Sequence, residues 1–97
     1  MAQIRNEAGV KRAVKALLSE HGWFAWMPPA NGYGRSGIAD FHALKDGKFL
    51  AIETKFGSNK PTALQWQFLH SVEAAGGEGI VIGEANLGQL ADLLARP

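Results

Sequence analysis

The first part of the chain has apolar residues at helical spacing. The members of this stripe are Val10, Ala13, Val14, Leu17 and Leu18. Such a stripe is typical of a helix that packs one side against a core, and His21-Gly22 is a plausible helix end. The pattern therefore predicts a helix from about Gln3 to Glu20.

Two strand-like runs, Ile38–Leu44 and Phe49–Lys55, flank the dipeptide Asp46-Gly47. Asp-Gly is typical of a two-residue hairpin turn, because both central residues must tolerate positive φ. If Lys45 faces Lys48 across this turn, Asp40 faces Glu53. Lys55 then projects to the same side of the sheet as Glu53, because side chains alternate along a strand.

The remaining segments predict six further features, read in chain order. They are a short strand over Trp23–Met27, a glycine-rich loop over Ala30–Gly37, a loop over Phe56–Pro61, a helix from Thr62 to about Ala75, a buried strand over Gly79–Gly83 and a last helix through Leu87–Leu94 that Asn86 can cap. Thr62 and Gln65 match the capping-box pattern. The order αβββαβα predicts an α/β domain with a mixed sheet flanked by helices, because a helical crossover must join the hairpin to the final strand.

The predicted pairing of Asp40 with Glu53 is unfavourable on an ordinary sheet, because two carboxylates would face each other at roughly 5 Å. A divalent cation between them would make the pairing favourable. The neighbouring Lys55 indicates a substrate that is itself anionic. This interpretation depends on register, since a slip of one residue would move one acid to the opposite face.

Two further polar residues lie where an apolar residue is expected. Glu7 falls within the apolar sector of the first helix, and Gln65 lies among the apolar residues of the second. Each has a structural alternative. Glu7 is also suited to a solvated first turn, where a carboxylate favours the helix dipole, and Gln65 is also the third residue of the capping box.

Basic and aromatic residues surround the same region. Those expected to contact a nucleic acid are Lys11, Lys15, Tyr33, Arg35 and Lys60. A loop with an arginine and an aromatic residue can hold phosphate and stack on a base. The alternative for each residue is an ordinary solvated helix face or loop.

Composition narrows the possible functions. The 97 residues predict one domain, and the absence of cysteine excludes disulfides and thiolate zinc sites. No signal peptide or membrane-spanning run is recognisable, so the expected location is the cytoplasm. The net charge is only +1, but nine of the ten Lys and Arg residues fall in residues 1–60. The phosphate groups of a nucleic acid would be expected to contact this basic part of the chain.

No serine nucleophile with a nearby base is visible, and the three histidines have no metal-ligand spacing.

Together these residues resemble a VRR-NUC domain of the PD-(D/E)xK nuclease superfamily, in its small standalone phage or bacterial form. The resemblance spans roughly Glu7 to Val81. It is carried by Gly37-Ile38-Ala39-Asp40, by Ala51-Ile52-Glu53-Thr54-Lys55, by the helix-one Glu7 and by Gln65. The sequence departs from the family at Ala39, where proline is frequent, and in lacking a Val-Arg-Arg segment near Gly79–Glu84.

The resemblance implies a restriction-endonuclease-like αβββαβ core with an extra C-terminal helix. It also implies that Asp40, Glu53, the Thr54 carbonyl and Glu7 bind Mg²⁺ or Mn²⁺. Lys55 would orient the attacking water and stabilise charge on the scissile phosphate, and Gln65 would complete the catalytic site.

The expected activity is metal-dependent endonucleolytic cleavage of DNA, selective for branched structures such as Holliday junctions, by a homodimer. A symmetric dimer can nick matching strands of a junction. Two alternatives remain open at this point. One is a non-catalytic DNA-binding module with a nuclease-like fold, and the other is a structural domain of a larger complex.

Overall fold

The computed structural model describes residues 3–29 and 37–97. Its elements follow the predicted order αβββαβα. They are α1 (Glu7–Glu20), β1 (Phe24–Trp26), β2 (Phe41–Lys45), β3 (Lys48–Thr54), α2 (Ala63–Ala74), β4 (Glu78–Ile82) and α3 (Leu87–Leu94). Within the described ranges, no helix is long and apolar enough to cross a membrane.

The four strands form one mixed sheet in the order β1-β2-β3-β4. The pairs β1–β2 and β2–β3 are antiparallel, and β3–β4 is parallel across the α2 crossover. This is the predicted α/β architecture. It places β1 and β4 at the two edges of the sheet.

The Asp46-Gly47 turn sets the register as predicted. Both residues have positive φ, 52° at Asp46 and 79° at Gly47, as this two-residue hairpin turn requires. Lys45 pairs with Lys48, and the ladder continues to Phe41 with Ile52. The next facing position therefore brings Asp40 towards Glu53.

The larger core lies between one sheet face and the helices α1 and α3. It contains Val10, Val14 and Leu18 from α1, Phe41 and Ile52 from the hairpin, and Leu90, Leu93 and Leu94 from α3. The predicted stripe of the first helix is therefore confirmed as a core face. Trp23 packs against this cluster, and its indole Nε1 donates to the Leu94 carbonyl at 3.2 Å.

The other sheet face carries a smaller core beneath α2. Ala39, Ala51 and Leu69 are buried there, and α2 packs on β3 and β4. Residues of β3 that alternate with Ile52, namely Phe49, Ala51 and Glu53, belong to this face. We call it the α2 face.

Three sequence expectations need correction. The first helix begins at Glu7 rather than Gln3, because Asn6 caps it by accepting from the Gly9 amide at 2.9 Å. The last strand is only partly buried, since Ile82 alone of its five residues is buried. Asn86 occupies the N-cap position of α3 without a side-chain cap bond, because its side chain bonds Gly83 and Val81 instead.

Candidate active site

Asp40 lies just before β2, where the ladder between β2 and β3 ends. Its Oδ2 accepts hydrogen bonds from the Thr54 amide at 3.0 Å and from the Thr54 hydroxyl at 2.5 Å. These two bonds fix the carboxylate at the end of the hairpin. They involve Oδ2, and Oδ1 faces Lys11.

Glu53 is the buried acid of the site. The residue is only 2% exposed, and its Oε1 has no hydrogen-bond partner among the residues that the structure describes. Burial, followed by the nearby Asp40 carboxylate, raises the pKa of Glu53 to about 7. Lys55 and a hydrogen bond from the Asp40 backbone oppose this rise without cancelling it. The Lys55 ammonium therefore does not fully offset the burial of this carboxylate.

Lys55 follows β3 and stands beside Glu53, as predicted. Its Nζ lies 3.3 Å from Glu53 Oε2. The Lys55 amide donates to the Ile82 carbonyl at 3.0 Å, so the parallel pairing with β4 continues past the last strand residue. This bond fixes the backbone from which the ammonium projects.

Glu7 and Lys11 bring the first turns of α1 to the same region. Lys11 Nζ lies 3.5 Å from Glu7 Oε2 and 4.0 Å from Asp40 Oδ1. Glu7 is partly exposed and occupies the first helical turn. Glu7 is therefore a partly exposed first-turn acid that adjoins Asp40 through Lys11, and its role as a metal ligand stays a prediction.

The donor set suits a hard cation bound with retained water. Among residues 3–29 and 37–97, no cluster of three or more Asp, Glu or His side chains is arranged to hold a metal ion. Asp40 and Glu53 provide two carboxylates, and Mg²⁺ is usually held by one or two carboxylates with waters completing the shell. The unpartnered Oε1 of Glu53 fits such an ion, because a cation there would satisfy a buried oxygen that otherwise lacks an interaction.

The fold itself is matched among solved structures. No protein-family profile matches this chain. No curated protein matches it either. A solved structure described as a "VRR_NUC domain" superposes with a TM-score of 0.75 over 89% of this chain and 94% of that chain, at 22% sequence identity.

This chain has the VRR_NUC fold. The superposition confirms the fold that the resemblance to a VRR-NUC domain implied. The roles of the individual site residues remain predictions.

Within the VRR_NUC fold, Gln65 is confirmed as the capping-box residue of α2. Its Oε1 accepts from the Thr62 amide at 2.9 Å, and its own amide donates to the Thr62 hydroxyl at 3.2 Å. The capping box uses the side-chain carbonyl oxygen of Gln65. Only its side-chain amide nitrogen would then act in the catalytic site, and that role stays a prediction.

The residues predicted to contact nucleic acid are only partly brought together. Lys11 is at the site, whereas Lys15 and Lys60 are exposed on α1 and on the loop after β3. Tyr33 and Arg35 lie outside the described residues, as does most of the glycine-rich loop from Ala30 to Gly37.

His42 belongs to an aromatic cluster on the α2 face. Its ring stacks on Phe68 at 5.5 Å and 6°, and it meets Phe49 and Trp26 at steeper angles. Burial lowers the pKa of His42, and its Nε2 has no hydrogen-bond partner. These contacts make His42 a packing residue.

Sequence reasoning overlooked the two aromatic residues that β1 contributes to this face. Phe24 and Trp26 alternate with Ala25, and their rings lie 5.3 Å apart. The alternation was a sufficient signal, because residues two apart on a strand share a face.

Proposed function

We propose that this protein is a metal-dependent DNA endonuclease whose active site lies at the end of the β2–β3 hairpin. The observation that carries the proposal is the environment of Glu53. A buried carboxylate with one unpartnered oxygen adjoins a second carboxylate and a lysine ammonium. Such a site favours a divalent cation and an anionic substrate together.

The residue roles follow from this arrangement. Asp40 and Glu53 would hold the ion, with the Thr54 carbonyl and Glu7 as further ligands directly or through water. When bound, Mg²⁺ or Mn²⁺ lowers the pKa of water and relieves charge on phosphate oxygens. Thr54 keeps Asp40 oriented by its two hydrogen bonds.

Lys55 would act on the substrate. Its ammonium stands beside the metal-binding acid, where it can orient the attacking water and offset negative charge that develops on the phosphate. Gln65 would complete the site from the start of α2. The VRR_NUC fold of the solved neighbour supports the nuclease class.

The proposed substrate is branched DNA such as a Holliday junction, cleaved by a homodimer in the cytoplasm of a bacterium or a phage-infected cell. Lys11, Lys15, Lys60, Tyr33 and Arg35 would contact the phosphate backbone and bases. Two sites related by a two-fold axis would nick matching strands of the junction.

The test compares a synthetic four-way junction, its linear duplex arms and supercoiled plasmid. Each is incubated with Mg²⁺, with Mn²⁺ and with EDTA, using wild type and Glu53→Gln, which keeps the side-chain size and removes the charge. We expect nicking by wild type with metal only, and fastest on the junction. Binding without metal-dependent nicking would show a DNA-binding module instead of an enzyme.

A further inference from the structure

An apolar patch lies on the α2 face next to the candidate site. Phe24 and Trp26 of β1 are 69% and 39% exposed, and Leu44, which pairs with Phe24, is also exposed. We call Phe24, Trp26 and Leu44 the β1 patch. It stays exposed because α2 covers β3 and β4, towards the opposite edge of the sheet from β1.

The Trp26 ring is held in place from below. His42 meets it at 5.7 Å and 83°, and Phe49 meets it at 6.5 Å and 62°. His42 is in turn stacked on Phe68 of α2. The patch is therefore a rigid aromatic surface, so little conformational entropy is lost when a flat ligand stacks on it.

The β1 patch and the acids share one sheet face. Trp26 pairs with His42, and Asp40 lies two residues before His42 along the chain. Two residues along an extended chain span about 7 Å. A nucleic acid strand held at Asp40 and Glu53 would therefore have its adjoining nucleotides over Trp26 and Phe24.

We infer that the β1 patch is a binding site for unpaired nucleobases, so that the substrate carries a single-stranded or frayed segment beside the scissile phosphate. This inference rests on the proposed function and specifies its substrate. Exposed aromatic rings bind bases without sequence preference, because every base has a flat face to stack. Paired bases inside a duplex do not present that face.

The size of the patch favours bases over a second copy of the chain. A stable protein interface buries about 800 Å² on each partner. Two aromatic side chains and one leucine, all partly covered, offer less than about half of that area. Two tilted rings 5.3 Å apart provide enough surface for one or two bases.

Binding to a labelled oligothymidine of about eight nucleotides tests the inference directly. Fluorescence anisotropy in EDTA measures affinity without cleavage, with wild type, Phe24→Ala and Trp26→Ala. Trp66→Ala is the matched control, since Trp66 is 43% exposed but lies on α2. We expect the two β1 variants to bind at least about fivefold more weakly than wild type, and the control to bind with wild-type affinity. Thermal unfolding shows whether each variant is folded, and Phe24 is exposed enough for its removal to spare the fold.

Two results would overturn the inference. One is equal oligothymidine affinity for wild type, Phe24→Ala and Trp66→Ala, or no binding by wild type. The other is a wild-type dimer by sedimentation that Phe24→Ala converts to monomer, which would make the patch an interface between copies.

The proposed function fails on a different measurement. If the protein nicks duplex plasmid with metal and Lys55→Ala abolishes this nicking, the proposed nuclease function stands even if the patch binds no base. If oligothymidine binding depends on Phe24 but no nicking occurs, the base-binding site stands and the proposed enzyme activity fails.

Discussion

Lys55 pairs with only one oxygen of Glu53. Its Nζ lies 3.3 Å from Oε2, whereas the buried Oε1 has no partner within the described part of the chain. A single lysine therefore leaves the carboxylate incompletely satisfied. The lysine remains available to a substrate phosphate, and the open oxygen remains available to a cation.

Replacing Lys55 with alanine should abolish cleavage and leave the protein folded. Loss of one positioned charge that stabilises a transition state costs about a hundredfold to a thousandfold in rate. The measurement is single-turnover cleavage of a junction with Mn²⁺. Lys48→Ala is the control, because Lys48 is exposed at the hairpin tip. Cleavage by Lys55→Ala at the rate of Lys48→Ala would show that Lys55 has no catalytic part.

Metal affinity should rise steeply with pH around neutrality. Glu53 has a pKa of about 7 without metal, so an ion must displace its proton at lower pH. Below that pKa, we expect the Mn²⁺ affinity to fall about tenfold for each pH unit. Calorimetric titrations at several pH values, in buffers of different ionisation enthalpy, measure both the affinity and the proton release. An affinity that stays constant from pH 6 to pH 8 (roughly one unit either side of this pKa) would exclude Glu53 as a ligand.

The metal-free protein should lose stability as pH rises from about 4.5 to about 7. Glu53 titrates near 7 when folded but near 4.5 when unfolded, so between these values the folded protein holds a proton that the unfolded chain has released. Stability contributed by this proton is complete below pH 4.5 and is lost towards pH 7. The loss amounts to roughly 3 kcal/mol.

Urea unfolding in EDTA checks this sign when wild type is compared with Glu53→Gln. The glutamine cannot ionise, so the difference between the two proteins isolates Glu53 from other titrating groups. We expect Glu53→Gln to be the more stable protein at pH 8, by up to roughly 3 kcal/mol. A wild type that becomes more stable than the variant as pH rises would reverse the predicted sign.

Replacing Lys11 with methionine should tighten metal binding. Lys11 lies 4.0 Å from Asp40 Oδ1 and 3.5 Å from Glu7 Oε2, so its charge competes with a cation for both acids. A partly exposed pair of this kind contributes up to about 1 kcal/mol, which corresponds to about a fivefold change in Mn²⁺ affinity. Lys15→Met is the control, one turn further along α1 and exposed. If both variants bind Mn²⁺ as wild type does, Lys11 does not compete with the ion.

The hairpin and its acids could be predicted because local chemistry determines them. Asp46-Gly47 tolerates the positive φ that the turn requires, and the turn then fixes which residues face each other. The alternation along β3 places Glu53 and Lys55 together without any further information. The capping box of α2 was equally local, since its two hydrogen bonds join Thr62 and Gln65, three residues apart.

Contacts between distant elements could not be predicted in this way. The approach of Lys11 to Asp40 depends on how α1 packs across the sheet, and no spacing in the sequence encodes that distance. The ring contacts of His42 likewise join β1, β2, β3 and α2. The start of α1 was predicted too early for a local reason. The prediction used only the apolar stripe, whereas Asn6, a residue suited to capping, marks the true start.

Gly37 should be far less tolerant of alanine than Gly47, although their backbones are alike. Their φ values are 78° and 79°, so both substitutions carry the same left-handed strain. A Cβ on Gly37 would lie 2.6 Å from the Leu64 backbone carbon, whereas a Cβ on Gly47 would meet nothing within 4 Å. The clash lies between the segment that leads to Asp40 and the first turn of α2. We expect Gly37→Ala to lose about 1–3 kcal/mol more than Gly47→Ala, and also to weaken Mn²⁺ binding. Urea unfolding and calorimetry on the two variants measure these effects, and equal losses of stability would contradict the close approach of Gly37 to α2.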